Sequence, residues 1–258
     1  MEIKFPSRIN KLTLHYTYKS SVKILIITTS HEQLGETGRK TGTWLEELAV
    51  PYYIFKDAGA DITLASPLGN RIPIDPKSES IIASTSSIRR FQKDLEVASW
   101  LAHSIPLATL KAASFDMAFL PGGHGAIWDF ADNAFLTQLL EDFIRQGKII
   151  GLLSYGAAAL ISMKAFDGEP FVKGKDLTAF SNDEATAAGL VSIIPFSLES
   201  RLTASKAYYT KAANYICHTV VCGHIVTGQN PSSSAEVAKK MLALLKEITR
   251  NKPAPQPY

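Results

Sequence analysis

Three short apolar runs constrain what this chain can fold into. Lys23 to Thr29 reads KILIITT, Phe115 to Leu120 reads FDMAFL, and Lys148 to Leu153 reads KIIGLL. None alternates apolar with polar residues, so each reads as a strand covered on both faces. Helical spacing fills much of the space between them. Trp44, Leu48, Tyr52 and Phe55 mark a helix over Thr43 to Gly59, which Pro51 is expected to kink or break. Asp61 to Ala65 reads as a second strand, Ala134 to Gln146 as a helix closed by Gly147, and Ser232 to Ile248 as an amphipathic helix. Strand and helix alternate for most of the length. The fold class is therefore α/β, a mostly parallel sheet flanked by helices on both faces. Such sheets bind ligands at the carboxyl ends of their strands.

The remaining segments read as follows. Residues 1–22 form an extension or edge hairpin, 23–249 one α/β domain, and 250–258 a Pro-rich disordered tail. The excursion over 66–110 forms a small helical cap over the site, with an amphipathic helix around Arg90 to His103. Phe171 to Leu177 reads as a hairpin segment turning near Lys175, and Ala179-Phe180 as a short strand. Tyr215 to Val221 and His224 to Thr227 pair around a Cys222-Gly223 turn.

Charge and cysteine usage exclude several classes of function. Net charge is +3, and the basic clusters are only Arg39-Lys40 and Arg89-Arg90, so no nucleic-acid footprint is expected. No apolar run reaches the roughly 20 residues of a membrane span, and the first residues lack the apolar core of a signal peptide. A cytoplasmic protein without membrane contact is the expectation. Cys217 and Cys222 make no disulfide framework, and with His218 and His224 they match no zinc spacing. Neither a metal nor a cofactor is expected.

The richest segment is Gly151 to Leu160, GLLSYGAAAL. A buried strand ends on Ser154 and passes through Tyr155-Gly156 into a helix of small residues. Such an elbow lifts one side chain above the sheet, near a helix N-terminus where negative charge is favoured. A serine there is not ionised at neutral pH and needs a positioned base. His124, in the turn Pro121-Gly122-Gly123-His124-Gly125, is the nearest candidate by sequence, although a turn histidine bonded to backbone is the plainer reading. Tyr155 is a poor base.

Four segments together resemble the ThiJ/PfpI superfamily: Thr43 to Pro67, AFLPGGHGAIWDF over Ala118 to Phe130, the elbow, and VTGQNPSSS over Val226 to Ser234. The likeness is nearest to its heat-shock chaperone and glyoxalase III-like branch. It implies a flavodoxin-like, class I glutamine amidotransferase-like fold, a homodimer and a small-molecule ligand. The family's site joins an elbow cysteine, followed by histidine, to a glutamate from the first helix and the amides of a Gly-Gly turn. By position these fall on Ser154, Tyr155, Glu47, Gly122 and Gly123, with Ala157 in the place of a proline. An acid used by some branches falls near Asn182 and Asp183. The resemblance thus implies a scaffold kept and a Cys-His pair replaced by Ser-Tyr.

Ser154 then reads as a nucleophile, as a small residue that fits the elbow, or as a replacement for an original cysteine. Glu47, if it faces Ser154, is desolvated with a raised pKa and can move protons. Otherwise it is a surface glutamate, as Glu46 is expected to be. Three functions remain open. The first is an enzyme without the thiol, acting on a small carbonyl compound through Glu47 and a Gly-Gly oxyanion hole. The second is a non-catalytic binding or chaperone-like stress protein. The third is a serine hydrolase.

Overall fold

The computed structural model describes residues 21–80 and 85–251. Residues 1–20 and 252–258, which hold nearly all of the expected extension and tail, lie outside it. A seven-stranded sheet organises the chain. Its strands are β1 (Lys23–Ile27), β2 (Asp61–Ser66), β3 (Ile105–Pro106), β4 (Met117–Leu120), β5 (Ile149–Leu153), β8 (Thr219–Cys222) and β9 (Ile225–Gly228). Their order is β3-β2-β1-β4-β5-β9-β8. All neighbours run parallel except the β8–β9 hairpin. A separate parallel pair joins β6 (Asp176–Leu177) to β7 (Tyr208–Tyr209).

The unbroken apolarity of β1 has a direct cause. Successive side chains leave a strand on opposite faces. Leu25 and Ile27 enter one core, with Leu120, Phe130 and Phe143, while Ile24 and Ile26 enter the other, with Leu48, Tyr52, Phe119 and Met241. The first core is covered by α4 (Ala126–Asp129) and α5 (Ala134–Arg145). The second is covered by α1 (Leu45–Asp57) and α8 (Ser234–Asn251), with α2 (Ser86–Phe91) and α3 (Leu95–Ala102) adding Ile88, Phe91 and Val97.

The structure revises several local expectations. α1 runs unbroken through Pro51, a buried residue. Proline costs one backbone bond, and here apolar packing around Leu48, Tyr52 and Phe55 outweighs that loss. The helix expected around Arg90 to His103 is two helices, because the Asp94 carboxylate accepts from the Glu96 and Val97 N–H groups and starts α3 afresh. Of the 66–110 excursion, α2 and α3 lie against α1, and among its described residues Lys77 lines the cavity at the strand ends. The elbow continues as a 3-10 helix, Ser154–Leu160. Residues 171–174 form a turn, and β6 pairs in parallel with β7, so no hairpin forms there, and Ala179-Phe180 lies beyond β6 as non-strand chain. In the β8–β9 hairpin Cys222 pairs with Ile225, which makes Gly223-His224 the turn, and Gly223 supplies its positive φ of 57°.

Candidate functional site

The carboxyl ends of β1, β4 and β5 converge on one cavity of about 200 Å³. Glu47, Gly123, His124, Ser154 and Tyr155 line it, together with Lys77. Glu47 is the third residue of α1 and is 1% exposed. Its Oε2 accepts a 2.7 Å bond from the Gly122 N–H. The close approach depends on glycine. A Cβ on residue 122 would stand 2.6 Å from Glu47 Oε2 and 2.8 Å from Ser154 Cβ, so both side chains crowd one point. Gly123, at φ +104°, passes so close to the α1 loop that a Cβ would meet Gly42 O at 2.3 Å.

Ser154 sits at φ +54°, a left-handed conformation for a residue with a Cβ. Such conformations cost about 1–2 kcal/mol and persist where surrounding packing imposes them. Here β5 and the 3-10 turn impose it, and Ser154 stands beside Glu47 at the cavity wall. Burial pushes Glu47 up to about 8, against the opposing bonds from Gly122 and Ser154. A carboxyl in the first turn of a helix is ordinarily favoured as the anion, so desolvation wins here over the helix dipole.

Across the cavity His124 is held by a carboxylate. Its Nδ1 lies 3.0 Å from Asp75 Oδ2, which also accepts from Thr41 Oγ1 at 2.7 Å. Burial raises the Asp75 carboxyl, but the His124 and Thr41 bonds outweigh it and hold the group below the usual range. An ionised Asp75 needs a proton on Nδ1, which leaves Nε2 of neutral His124 as an acceptor. The ring stands edge-on to Trp44 and Tyr155, with centroids 5.8 and 6.0 Å away.

Tyr155 is 1% exposed and packs on Phe180, centroid to centroid 4.8 Å. Burial raises its phenol, so it stays protonated. Its hydroxyl has no hydrogen-bond partner among the described residues.

The structure brings together Glu47, Gly122, Gly123, His124, Ser154 and Tyr155. It does not bring Asn182 and Asp183 to them. Asn182 donates from its backbone to Glu199 at 2.6 Å and bonds the side chains of Ser197 and Ser200, and Asp183 pairs with Lys211 at 2.8 Å. Both start α6 (Asn182–Ala187), and neither lines the cavity. The buried acid of that segment is Glu184. One oxygen accepts from Tyr215 N and Asn230 Nδ2, each at 2.8 Å, and the other from Ser181 N and Oγ, at 3.0 and 2.9 Å. Its signal was in the sequence: Ser181-x-x-Glu184 is a capping box. Asp75 carries no such signal, since it meets His124 across 49 residues of chain.

Neither free cysteine lines the cavity, Cys217 being exposed and Cys222 half-buried. Among the described residues no group of three or more His, Cys, Asp or Glu is placed to hold a metal. No helix there is long and apolar enough to cross a membrane.

Comparison with known proteins agrees with this fold. The DJ-1/PfpI family model matches residues 40–244. Glyoxalase 3 of Candida albicans is 27% identical over 246 residues, spanning 86% of this chain and 98% of its own. A glutathione-independent glyoxalase of Saccharomyces cerevisiae is 23% identical, spanning 87% and 98%. Among solved structures, the Rapid Encystment Protein 24 kDa of Francisella tularensis superposes with a TM-score of 0.84 at 34% identity, covering 87% of this chain and 99% of that one.

Proposed function

The chain belongs to the DJ-1/PfpI family, and from that premise we propose that its cavity binds and transforms a small carbonyl compound, with Glu47 moving the proton. The supporting observation is the environment of Glu47. A buried carboxyl at the cavity wall, with a pKa pushed up to about 8, exchanges its proton near neutral pH. At pH 7 about a tenth of the molecules then carry the carboxylate. That carboxylate takes a proton from the carbon beside the carbonyl. The electron pair moves onto the carbonyl oxygen, and the Gly123 N–H holds the charge that develops there. Gly122 and Ser154 are outside this role, because both already donate to Glu47. The new carboxylic acid then returns its proton to carbon or oxygen.

The reading uses no thiol and takes residue 154 as the native serine, in the place of the family's elbow cysteine. The relatives named as glyoxalases support a small carbonyl substrate. A non-catalytic protein predicts Glu47 turned to solvent or ion-paired, whereas here it is buried against Ser154. The test is deuterium uptake. In D2O the protein exchanges the α-hydrogens of a small ketone, followed by proton NMR, and Glu47→Gln lowers the rate by roughly 10²–10⁴. Equal exchange by the variant sinks the assignment.

One observation favours a second reading. Asp75 orients His124 in the same cavity as Ser154, the order of acid, base and nucleophile in a serine hydrolase. Covalent labelling of Ser154 by a fluorophosphonate, lost in His124→Gln, would establish it. The Glu47 reading expects no label.

A further inference from the structure

Resting on the reading that this cavity receives the carbonyl compound, we propose that its ligand is a small 2-oxo carboxylate, an anion, and not a neutral dicarbonyl. The groups left unsatisfied at the cavity are mostly donors. The Tyr155 hydroxyl is buried without a partner. The Gly123 N–H donates to no other described residue, while its neighbour Gly122 N–H is taken by Glu47. Lys77, an exposed residue at the cavity rim, is in no ion pair among the described residues, so its charge is open to a ligand.

Two of the negative groups nearby, Asp75 and Glu184, are closed off. Asp75 Oδ2 accepts from Thr41 and His124, and its Oδ1 accepts from the Lys77 N–H. Both oxygens of Glu184 accept from two donors each. Burial also favours the neutral form of Glu47.

A buried hydroxyl without a partner costs about 1–3 kcal/mol, so its retention in a binding cavity calls for an acceptor brought by the ligand. A dicarbonyl offers two weak acceptors. A 2-oxo carboxylate offers three oxygens and a full charge, which matches one phenol, one amide and one ammonium group. The carboxylate would take Tyr155 and Lys77, leaving the oxo group for the Gly123 N–H beside Glu47. The cavity, about 200 Å³, holds the equivalent of roughly six or seven waters, which suits a ligand of few heavy atoms.

Calorimetric titration with pyruvate and with 2,3-butanedione tests this. Butanedione replaces the carboxylate by an acetyl group of similar size. The proposal expects pyruvate to bind at least 10-fold tighter. Tyr155→Phe, which deletes only an unpartnered oxygen, should weaken pyruvate roughly 10-fold, as for a hydrogen bond to a charged group, and leave butanedione nearly unchanged. Lys77→Met should weaken pyruvate several-fold and flatten its salt dependence. Equal or tighter binding of butanedione overturns the anion assignment and leaves the carbonyl reading standing. Binding of neither overturns both. A pyruvate preference that neither variant moves puts the carboxylate elsewhere and overturns the proposal.

Discussion

Glu47 and Glu184 are the same residue in the same helical position, the third of α1 and of α6, and both are buried. They end differently because the residue before each helix differs. Ser181 gives α6 a side-chain oxygen, and Glu184 reaches back to the Ser181 backbone N–H to complete a capping box. Asn230 and Tyr215 then close its remaining oxygen. Trp44 precedes α1 and offers no such oxygen. Glu47 therefore turns to the Gly122 N–H and Ser154, and its side chain lines the cavity. A carboxyl whose acceptors are all filled holds the chain together, whereas one left short of donors inside a cavity becomes chemistry.

Substitution should separate the two acids. The largest effect falls on rate, where Glu47→Gln abolishes nearly all α-hydrogen exchange yet keeps the fold, since the amide oxygen still accepts from Gly122. Next comes stability. Glu184→Ala strands four donors, each costing about 1–3 kcal/mol if it finds no water, so a loss of about 3 kcal/mol or more is expected in denaturant unfolding. A loss as small as that of Glu47→Gln would erase the distinction.

The pH dependence sharpens the comparison further. Glu47 is raised from 4.5 to about 8 in the fold. Between these values the native state binds more protons than the unfolded chain, so this contribution is full below pH 4.5 and is lost as pH rises through 8. Stability measured from pH 5 to 8.5 should fall in the wild type relative to Glu47→Gln, by on the order of a few kcal/mol. The difference between the two proteins is the quantity to read, because Asp129, pushed up to about 7 by burial, adds a slope of the same sign to both. The smallest effect concerns the elbow. Ser154→Gly should raise stability by about 1 kcal/mol through relief of the positive φ, and Ser154→Ala should not.

Much of the architecture was legible because burial on both faces leaves so plain a mark. The β1, β4 and β5 runs, α5 and α8 all lie where apolar spacing put them. The segments that moved were those decided by single side chains or by distant pairing. Asp94 restarted a helix, apolar packing carried α1 past Pro51, and β6 found a parallel partner some 30 residues on. At the site, Ser154 was singled out by the strand, turn and helix around it, and Glu47, Gly122 and Gly123 by the family resemblance. The Asp75–His124 bond was not, since no local pattern announces a contact between a loop after β2 and a turn after β4. Glu184 was within reach, one residue beyond the acid expected at Asn182 and Asp183, and its capping box was the clue.

Everything proposed for the cavity turns on whether Glu47 carries a proton at neutral pH. Carbon-13 NMR of the side-chain carboxyls reads this directly, with the Glu47 resonance assigned by its absence in Glu47→Gln. A midpoint near 8 is expected, with the carboxyl neutral in most molecules at pH 7. A midpoint near the ordinary value of 4.5 would show a fixed anion at the cavity wall and contradict the account.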